Sequence, residues 1–429
     1  MRKKCAALLL VLICAIGLAG KTYPQPARKQ RPQKQPGYLY QVSTRDEKTG
    51  ENRIGFIDNT GKLVIGFDRL PKETVGVEEF HEGRAMIFVK DLTASVPALS
   101  WRVGYIDETG ALVIPAKFAI GRSFSEGLAY VAGGESGFRG FIDRAGQIAF
   151  RVDDPCPGDF HEGLAVVGGR RDSGYIDRAG RTVIKRQYEF ADDFSEGLAG
   201  VVVGGKFGFI DRSGKMVIPP RFEPRRGGHG EAVSTSRFLE GRAPVSTELV
   251  YGFHGTFGYI NRKGKFVIEP QFQTAQAFSE GLAFADIREG SSVKAGWINK
   301  SGSWVLTVKE QISDFGEFLR QPSASIDGRY RAGDTEYREG LVPFCDYSAE
   351  ISITARILHY LCGYMDRTGK VVIEPRRLYG PGPFVGGIAK VYVIGYRGFL
   401  DDYSADDYGY IDRAGKFIWR SIPYKAIAR

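Results

Sequence analysis

Short apolar segments separated by glycine-containing turns follow one another through most of the chain. In one of the clearest copies, Leu198–Val203 and Lys206–Asp211 are rich in β-branched and aromatic residues, and Gly204–Gly205 between them is a two-residue hairpin turn. Asp211–Gly214 predicts a second reverse turn, because Asp accepts hydrogen bonds from backbone amides ahead of it and glycine adopts positive φ without strain. Lys215–Ile218 follows as a third strand. The pattern therefore predicts a unit of three antiparallel strands.

A phrase of glycine, an aromatic residue, an aliphatic residue and Asp or Asn recurs nine times, with another glycine three residues later. The shortest spacing between copies is 34 residues, which is typical of repeat proteins. We expect one structural turn per unit. The predicted turn residues are Asp58 and Gly61, Asp107 and Gly110, Asp143 and Gly146, Asp177 and Gly180, Asp211 and Gly214, Asn261 and Gly264, Asn299 and Gly302, Asp366 and Gly369, and Asp412 and Gly415.

A second phrase, an aromatic residue followed by any residue, Glu and Gly, begins most units. Its copies are Phe80–Gly83, Phe124–Gly127, Phe160–Gly163, Phe194–Gly197, Phe238–Gly241, Phe278–Gly281 and Tyr337–Gly340, and Phe384–Gly387 is a degenerate last copy. We expect each aromatic residue to pack in the core between units. The first unit lacks this phrase, which suits a terminal cap.

These patterns predict an all-β fold of about nine three-stranded antiparallel units. Propeller blades usually have four strands and propellers four to eight blades, so we expect an open, superhelical array. A closed, propeller-like ring is the alternative. Two insertions interrupt the repeat, near residues 225–237 and 307–361.

The repeated phrases resemble those of the bacterial WG-repeat, or KWG-repeat, proteins. The resemblance covers roughly residues 37–420, and Lys206-Phe207-Gly208 is the nearest match to the motif that names the family. It implies an all-β repeat protein, often exported, with no established shared enzymatic activity. The resemblance assigns no catalytic residue.

The beginning of the chain predicts export. The basic residues Arg2–Lys4 precede the apolar run Ala6–Leu18, and Gly17 and Ala19 are the small residues that fit cleavage after Ala19. The run is shorter than the roughly 20 residues that a membrane-spanning helix needs. An uncleaved anchor and a lipid anchor at Cys14 are the alternatives. We therefore expect a periplasmic, cell-surface or secreted protein with no membrane span after cleavage.

The net charge of +9 comes almost entirely from the first 36 residues, which carry eight basic residues and no acidic one. The rest of the chain is close to neutral, so no nucleic-acid partner is expected. We predict a signal peptide over residues 1–19, a Pro-, Gln- and base-rich linker over 20–36, and the repeat array over 37–429. The linker could also bind an anionic surface.

No motif predicts chemistry, so we expect no catalytic residue, no cofactor and no metal. The turn residues are too far apart for a calcium loop, and the repeated glutamates are better explained as turn or cap partners. His81 and His161 occupy a repeat position that elsewhere holds serine, and no zinc-binding spacing is present. The aromatic row of the first phrase could stack on sugar or base rings, but core packing explains it better.

After signal cleavage, three cysteines would remain: Cys156, Cys345 and Cys362. Cys345 ends one predicted strand, and Cys362 begins the next. A disulfide between them would close the loop, and two unpaired core thiols are the alternative.

We expect a non-catalytic binding or scaffold module at the bacterial cell envelope, with a protein or another envelope component as partner. One alternative is an enzyme acting on envelope polysaccharide through carboxylates in the insertions. The other is an anionic-surface binder acting through the basic linker.

Overall fold

The computed structural model divides into two units, Met1–Pro36 and Gly37–Arg429. It describes residues 37–45, 52–91, 101–134, 137–169, 171–226, 232–234, 236–248, 250–251, 255–289, 292–308, 336–346, 351–352, 357–358, 361–379, 381–393 and 408–421, all in the second unit. The predicted signal peptide and linker lie outside these residues. Over the described part, the regular structure is β-strand, and no helix there is long and apolar enough to cross a membrane.

The repeat unit is a small antiparallel sheet that we call a blade. Blade 5 shows its four strand positions in chain order: Phe190–Ala191, Leu198–Val203, Lys206–Asp211 and Met216–Phe222, each paired with the next. The last three are the strands that the sequence predicts. The short first strand was missed, because its two residues lie in the segment between units.

The described residues form nine such blades, of which some lack a defined first strand. The strands of blades 1 to 5 are Tyr40–Arg45, Asn52–Ile57 and Leu63–Ile65; Thr74–His81, Arg84–Lys90, Trp101–Ile106 and Leu112–Phe118; Ile120–Gly121, Leu128–Gly133, Phe138–Asp143 and Ile148–Arg151; Leu164–Val167, Ser173–Asp177 and Thr182–Tyr188; and the four of blade 5. Those of blades 6 to 9 are Ala243–Ser246, Phe257–Ile260 and Phe266–Phe272; Thr274–Ala275, Leu282–Glu289, Ser292–Asn299 and Trp304–Val308; Leu341–Asp346, Leu361–Asp366 and Val371–Tyr379; and Phe384–Val385, Ile388–Val393, Tyr408–Asp412 and Phe417–Arg420.

Two small sheets lie between the blade strands. Most of their strands lie in the predicted insertions, but Val250–Tyr251 lies in the hairpin of blade 6, outside them. Their strands are Arg225–Arg226, Ala232–Ser234 and Val250–Tyr251, and Ile351–Ser352 with Ile357–Leu358.

The antiparallel strand order gives each blade two different ends. The turns between the first and second strands and between the third and fourth strands lie at one end, which we call the turn face. The hairpins between the second and third strands, and the connections between blades, lie at the other end, which we call the variable face. Turn-face loops have the same length from blade to blade, whereas variable-face hairpins range from Gly204–Gly205 to residues 347–360.

The core lies between blades and is built on aromatic pairs. The aromatic residue of the first phrase in one blade contacts the aromatic residue of the second phrase in the next blade, as Phe209 does with Phe238 at a ring-centroid distance of 4.8 Å. Tyr259 and Phe278 repeat the contact at 5.0 Å. The predicted packing of these aromatic residues between units is confirmed.

The nine blades close into a β-propeller. Tyr410 of blade 9 and Tyr40 of blade 1 have ring centroids 5.5 Å apart, and both belong to a cluster with the buried residues Val42, Ile57 and Ile388. The predicted open superhelix is therefore wrong, and the propeller-like alternative is right. The sequence favoured an open array because it showed only three strands per unit and could not show that the last unit returns to the first.

Candidate functional site

The predicted turn residues lie on the turn face, where their side chains bond to the backbone of their own turns. Asp211 Oδ1 accepts hydrogen bonds from the backbone nitrogens of Ser213 at 2.9 Å and Lys215 at 3.1 Å. The same pair of bonds is made by Asp58, Asp107, Asp143, Asp177, Asn261, Asn299, Asp366 and Asp412. Because amides at Asn261 and Asn299 do the same work as the carboxylates, capping requires no charge and no metal.

The turn glycines adopt positive φ and also contact the neighbouring blade. Gly214 has a φ of 84°, and a Cβ built on it would lie 3.3 Å from the Ile184 side chain of blade 4. The contact continues across the closure, where a Cβ on Gly61 of blade 1 would lie 2.5 Å from the Ile418 carbonyl oxygen of blade 9. The turn glycine thus serves both its own turn and the interface between blades.

Replacing Gly214 with valine is expected to lower the free energy of unfolding by about 1–2 kcal/mol, because valine disfavours positive φ. Chemical denaturation measures the loss, and hydrogen exchange shows where it acts. Blades 4 to 6 should respond most, because each blade contacts its neighbours. Gly169→Val is the control, since no atom lies within 4 Å of a Cβ at Gly169. Equal loss of protection in all nine blades would contradict this expectation.

The glutamates of the second phrase hold neighbouring blades together. Glu196 of blade 5 has a φ of 53°, and its Oε2 accepts a hydrogen bond from the backbone nitrogen of Gly241 in blade 6 at 2.9 Å. We call this contact a clamp. The seven clamps among the described residues join Glu82 to Gly127, Glu126 to Gly163, Glu162 to Gly197, Glu196 to Gly241, Glu240 to Gly281, Glu280 to Gly340, and Glu339 to Gly387.

Cations of the next blade accompany several clamps. Arg367 Nη2 lies 2.5 Å from Glu280 Oε2, and Lys300 Nζ lies 3.0 Å from Glu240 Oε2. Both cations directly follow a turn Asn or Asp. The sequence suggests the Glu as a cap partner but not its target, because the bonded glycine lies one repeat away. The spacing of residues within one unit cannot reveal a contact between units.

Acid should destabilise the propeller through these carboxylates. Burial opposes ionisation of Glu280, but bonds from Arg367 and the Gly340 N–H outweigh it and hold its pKa below the usual value. The Ser213 hydroxyl bond likewise lowers the pKa of Asp211. A lowered pKa in the folded state adds stability above the unfolded pKa, and this stability is lost as pH falls through the folded pKa.

We therefore expect a nearly constant melting temperature above about pH 5 and a progressive fall below about pH 4. Differential scanning calorimetry at constant ionic strength measures it. Asp211→Asn is the matched variant, because Asn261 and Asn299 already cap the same turn. It should reduce the acid dependence slightly, and a fall that begins near pH 6 would point to histidine instead.

The aromatic row of the first phrase is buried, so its rings are not available for stacking on a ligand. Its nine members are Phe56, Tyr105, Phe141, Tyr175, Phe209, Tyr259, Trp297, Tyr364 and Tyr410, and the most exposed of them retains 6% of its accessible surface. Several tyrosines also donate to backbone carbonyls of the next blade, as Tyr175 does to Asp192 at 2.6 Å. The row is structural.

A polar row surrounds the second phrase. In blades 3, 5 and 7 a serine hydroxyl donates to a carbonyl of the next blade, as Ser125 does to Phe160 at 2.7 Å. In blade 4 the equivalent residue is His161, whose Nε2 lies 3.4 Å from Asp193 Oδ2. Burial raises the pKa of Asp193, and the charges of Asp192 and Asp159 add to the rise while His161 and Arg237 oppose it. The sequence did not predict this row.

No metal site emerges from the part of the chain that the structure describes. No three residues of His, Cys, Asp and Glu there are arranged to hold a metal ion. His161 faces a carboxylate across a blade interface, which is a structural contact. The carboxylates of the insertions near 225–237 and 307–361 lie largely outside the described residues.

Cys345 and Cys362 occupy directly opposed positions in the ladder between Leu341–Asp346 and Leu361–Asp366. Cys362 is buried and forms a disulfide bond. The side chain of Cys345 lies outside the described residues, so the pairing stays a prediction. Cys156 is a free, exposed cysteine, and its Sγ lies 3.0 Å from an Arg122 guanidinium nitrogen.

We expect peptide mapping of unreduced protein to recover Cys345 and Cys362 in one linked peptide pair. By the chain-entropy model, closing this loop adds about 3 kcal/mol. The double variant Cys345→Ala/Cys362→Ala should unfold at lower denaturant concentration, whereas Cys156→Ala should not change it. Free thiols at both positions in protein from an oxidising compartment would contradict the pairing.

The sequence profile of the WG-containing repeat matches five places in the chain: residues 104–132, 174–207, 207–223, 257–288 and 363–393. The chain is a WG-repeat protein. The matches fall in blades 2 to 3, 4 to 5, 5, 6 to 7, and 8 to 9, and each contains the glycine-aromatic phrase. The resemblance inferred from the repeated phrases is confirmed. None of the curated proteins is a significant match to this WG-repeat protein.

Solved structures similar to this WG-repeat protein are distant. A quinonprotein alcohol dehydrogenase-like protein from Bacteroides thetaiotaomicron is 12% identical, with 63% of this chain and 75% of that chain covered and a TM-score of 0.29. An uncharacterized protein from Listeria monocytogenes is 10% identical, with 62% and 94% covered and a TM-score of 0.35. The β-propeller domain of the Trilobed protease from Pyrococcus furiosus is 9% identical, with 62% and 97% covered and a TM-score of 0.31. Similarity at this level carries no argument about function.

Proposed function

We propose that this WG-repeat protein is an exported, non-catalytic binding module of the cell envelope, and that its variable face contacts the partner. The observation that supports this is the difference between the two faces. Turn-face loops are uniform and are held by the clamps, whereas the variable face carries all the length variation. In repeat proteins, insertions that collect on one face often form the binding surface.

The carboxylates of the repeats do not favour the enzymatic alternative. Each of the seven second-phrase glutamates bonds to a backbone N–H of the next blade, and each turn Asp caps its own turn. A pair of carboxylates for glycoside hydrolysis needs two environments that separate their pKa values around one cleft. The seven glutamates instead share one environment, and the turn aspartates share another. A binding role therefore remains the better proposal.

A variable-face substitution tests the role. Replacing residues 247–256 of blade 6 with Gly-Gly copies the short hairpin of blade 5 and leaves the blade strands intact. In pull-downs from envelope extracts, we expect this variant to lose a partner that the wild type captures. Lys300→Ala on the turn face is the control and should retain it. If both variants capture the same partners as the wild type, this hairpin is not the contact.

Two further measurements test export and the role of the linker. Amino-terminal sequencing of native protein should begin near residue 20, and an intact Met1 would refute cleavage. Deleting residues 20–36 should leave partner capture unchanged. Loss of binding to anionic vesicles in that deletion, with partner capture also lost, would favour the anionic-surface alternative.

A further inference from the structure

Two blades carry opposite charges on the turn face. In blade 2, the second phrase with its neighbours (78–84) and the turn after the third strand (107–111) hold five carboxylates and one guanidinium, for a formal charge of −4. The same positions of blade 6 (236–242 and 261–265) hold five cations and one carboxylate, for a formal charge of +4. We call the first set the acidic patch and the second the basic patch. The carboxylates of the acidic patch are Glu78, Glu79, Glu82, Asp107 and Glu108, and the cations of the basic patch are Arg237, Arg242, Arg262, Lys263 and Lys265.

The other blades are close to neutral at these positions, with formal charges between −2 and +1. Blade 6 differs because Asn261 caps its turn without a charge, while the cations that follow the cap are kept. Blade 2 differs because Glu108 and Ala111 stand where most turns have a cation. The two patches are therefore departures from the repeat and not a property of every blade.

Most charges of the two patches are exposed and have no partner of opposite sign in the described part of the chain. The exposed side chains are Arg237, Arg262, Lys263, Lys265, Glu78, Glu79, Glu82 and Glu108, and none of them forms an ion pair with another described residue. On blades 7 and 8, by contrast, Lys300 and Arg367 pair with clamp glutamates. Exposed like charges that are gathered on one blade repel one another and attract a surface of opposite sign.

The charges of the two patches match position by position. Arg237 and Glu79 each precede the aromatic residue of the second phrase, and Arg262 and Glu108 each follow the residue that caps the turn. Equivalent positions in two blades lie at the same distance from the axis of the ring. The loops that carry them have equal lengths in the two blades, so the two patches stand at the same height on the turn face.

Two-fold symmetry brings the two patches together. A two-fold axis between two facing rings reverses the order of the blades, so with blade 4 on the axis, blade 2 of each copy faces blade 6 of the other. The contact then occurs twice, as in any two-fold interface. The remaining pairs join blades with formal charges between −2 and +1, so the two contacts between blades 2 and 6 dominate the electrostatic attraction.

We propose that the turn face binds a second copy of this chain, with the acidic patch of each copy on the basic patch of the other. Arg237 pairs with Glu79 of the second copy, and Arg262 pairs with Glu108 of the second copy. Leu239, which is 37% exposed in the second phrase of blade 6, adds apolar contact area. The variable faces point away from each other in this dimer, so its test is independent of the proposed binding role.

Sedimentation velocity at low and high salt tests the dimer. At about 10 μM protein and low salt, we expect a species of twice the chain mass, which is 47.4 kDa before any cleavage. Between about 50 mM and about 500 mM NaCl the Debye length falls from roughly 14 Å to roughly 4 Å, so the dissociation constant should rise at least about tenfold. A monomer at both salt concentrations, or a dimer that salt does not weaken, would overturn the proposal.

Charge reversal identifies which blades meet. Arg262→Glu alone and Glu108→Arg alone each place like charges at both symmetric contacts, so each should weaken self-association at least about tenfold. An equimolar mixture of the two variants restores opposite charges at both contacts and should form a mixed dimer. A mixture that stays monomeric, although both variants keep the wild-type circular dichroism spectrum, would overturn the pairing of blade 2 with blade 6.

Two controls separate this contact from other effects of charge. Lys185→Glu reverses an exposed cation on the fourth strand of blade 4, away from the turn face, and should dimerise as the wild type does. Deleting the basic linker, residues 20–36, should also leave the dimer intact. Loss of the dimer in that deletion would assign the attraction to the linker and overturn the proposal.

Discussion

Replacing Gly208 with alanine should destabilise the propeller by about 3 kcal/mol. A Cβ on Gly208 would lie 2.3 Å from the Ile218 carbonyl oxygen and 2.8 Å from Pro219 C and Pro220 N. All three atoms belong to the backbone of the adjacent strand, at a register shift between Phe207 and Phe209. Backbone atoms inside a paired sheet cannot move aside as a flexible side chain can, so the added methyl group must distort the blade.

Chemical denaturation of Gly208→Ala measures this loss, with Gly66→Ala as the matched control. No heavy atom lies within 4 Å of a Cβ on Gly66, and its φ is outside the left-handed region. The control should change the free energy of unfolding by no more than about 0.5 kcal/mol. A comparable loss of stability in both variants would mean that the adjacent strand, Met216–Phe222, does not approach Gly208 this closely.

Phe209→Ala is expected to cost about 3–5 kcal/mol, which would make it the most damaging single truncation in its blade. The ring is fully buried and forms an edge-to-face pair with Phe238 of blade 6. Its removal leaves a cavity in a cluster that also contains Ile218, Phe222 and Val245. Because the pair joins two blades, the substitution should weaken the interface between the blades as well as each sheet.

Denaturation combined with hydrogen exchange tests the position of this loss. Protection should fall in blades 5 and 6 before it falls in blades 1 and 9. Val217→Ala is the control, since Val217 is 40% exposed; it should stay within about 0.5 kcal/mol of the wild type. A loss below about 1 kcal/mol for Phe209→Ala would show that the interface repacks around the gap.

The sequence by itself determined three of the four strand positions of a blade and the turns that belong to them. The spacing of Asp211 and Gly214 specifies a turn, because the capping bonds and the positive φ involve only residues within four positions of Asp211. The same locality explains why the hairpin at Gly204–Gly205 could be predicted. The sequence also predicts that these aromatic residues pack between units, since large apolar residues at fixed positions in every unit must be buried.

Tertiary structure decided how the units meet. The bond from Glu196 to Gly241 joins residues 45 positions apart, and no pattern within one unit shows which backbone N–H a repeated glutamate accepts from. The closure of the ring could not be predicted from the repeat pattern either, because a small rotation per unit accumulates over nine blades before Tyr410 contacts Tyr40. Yet Gly386 already departs from the repeat at the closing interface. A local sequence determines turns and strands through short-range bonds, whereas the register of a ring is fixed only by the sum of all its interfaces.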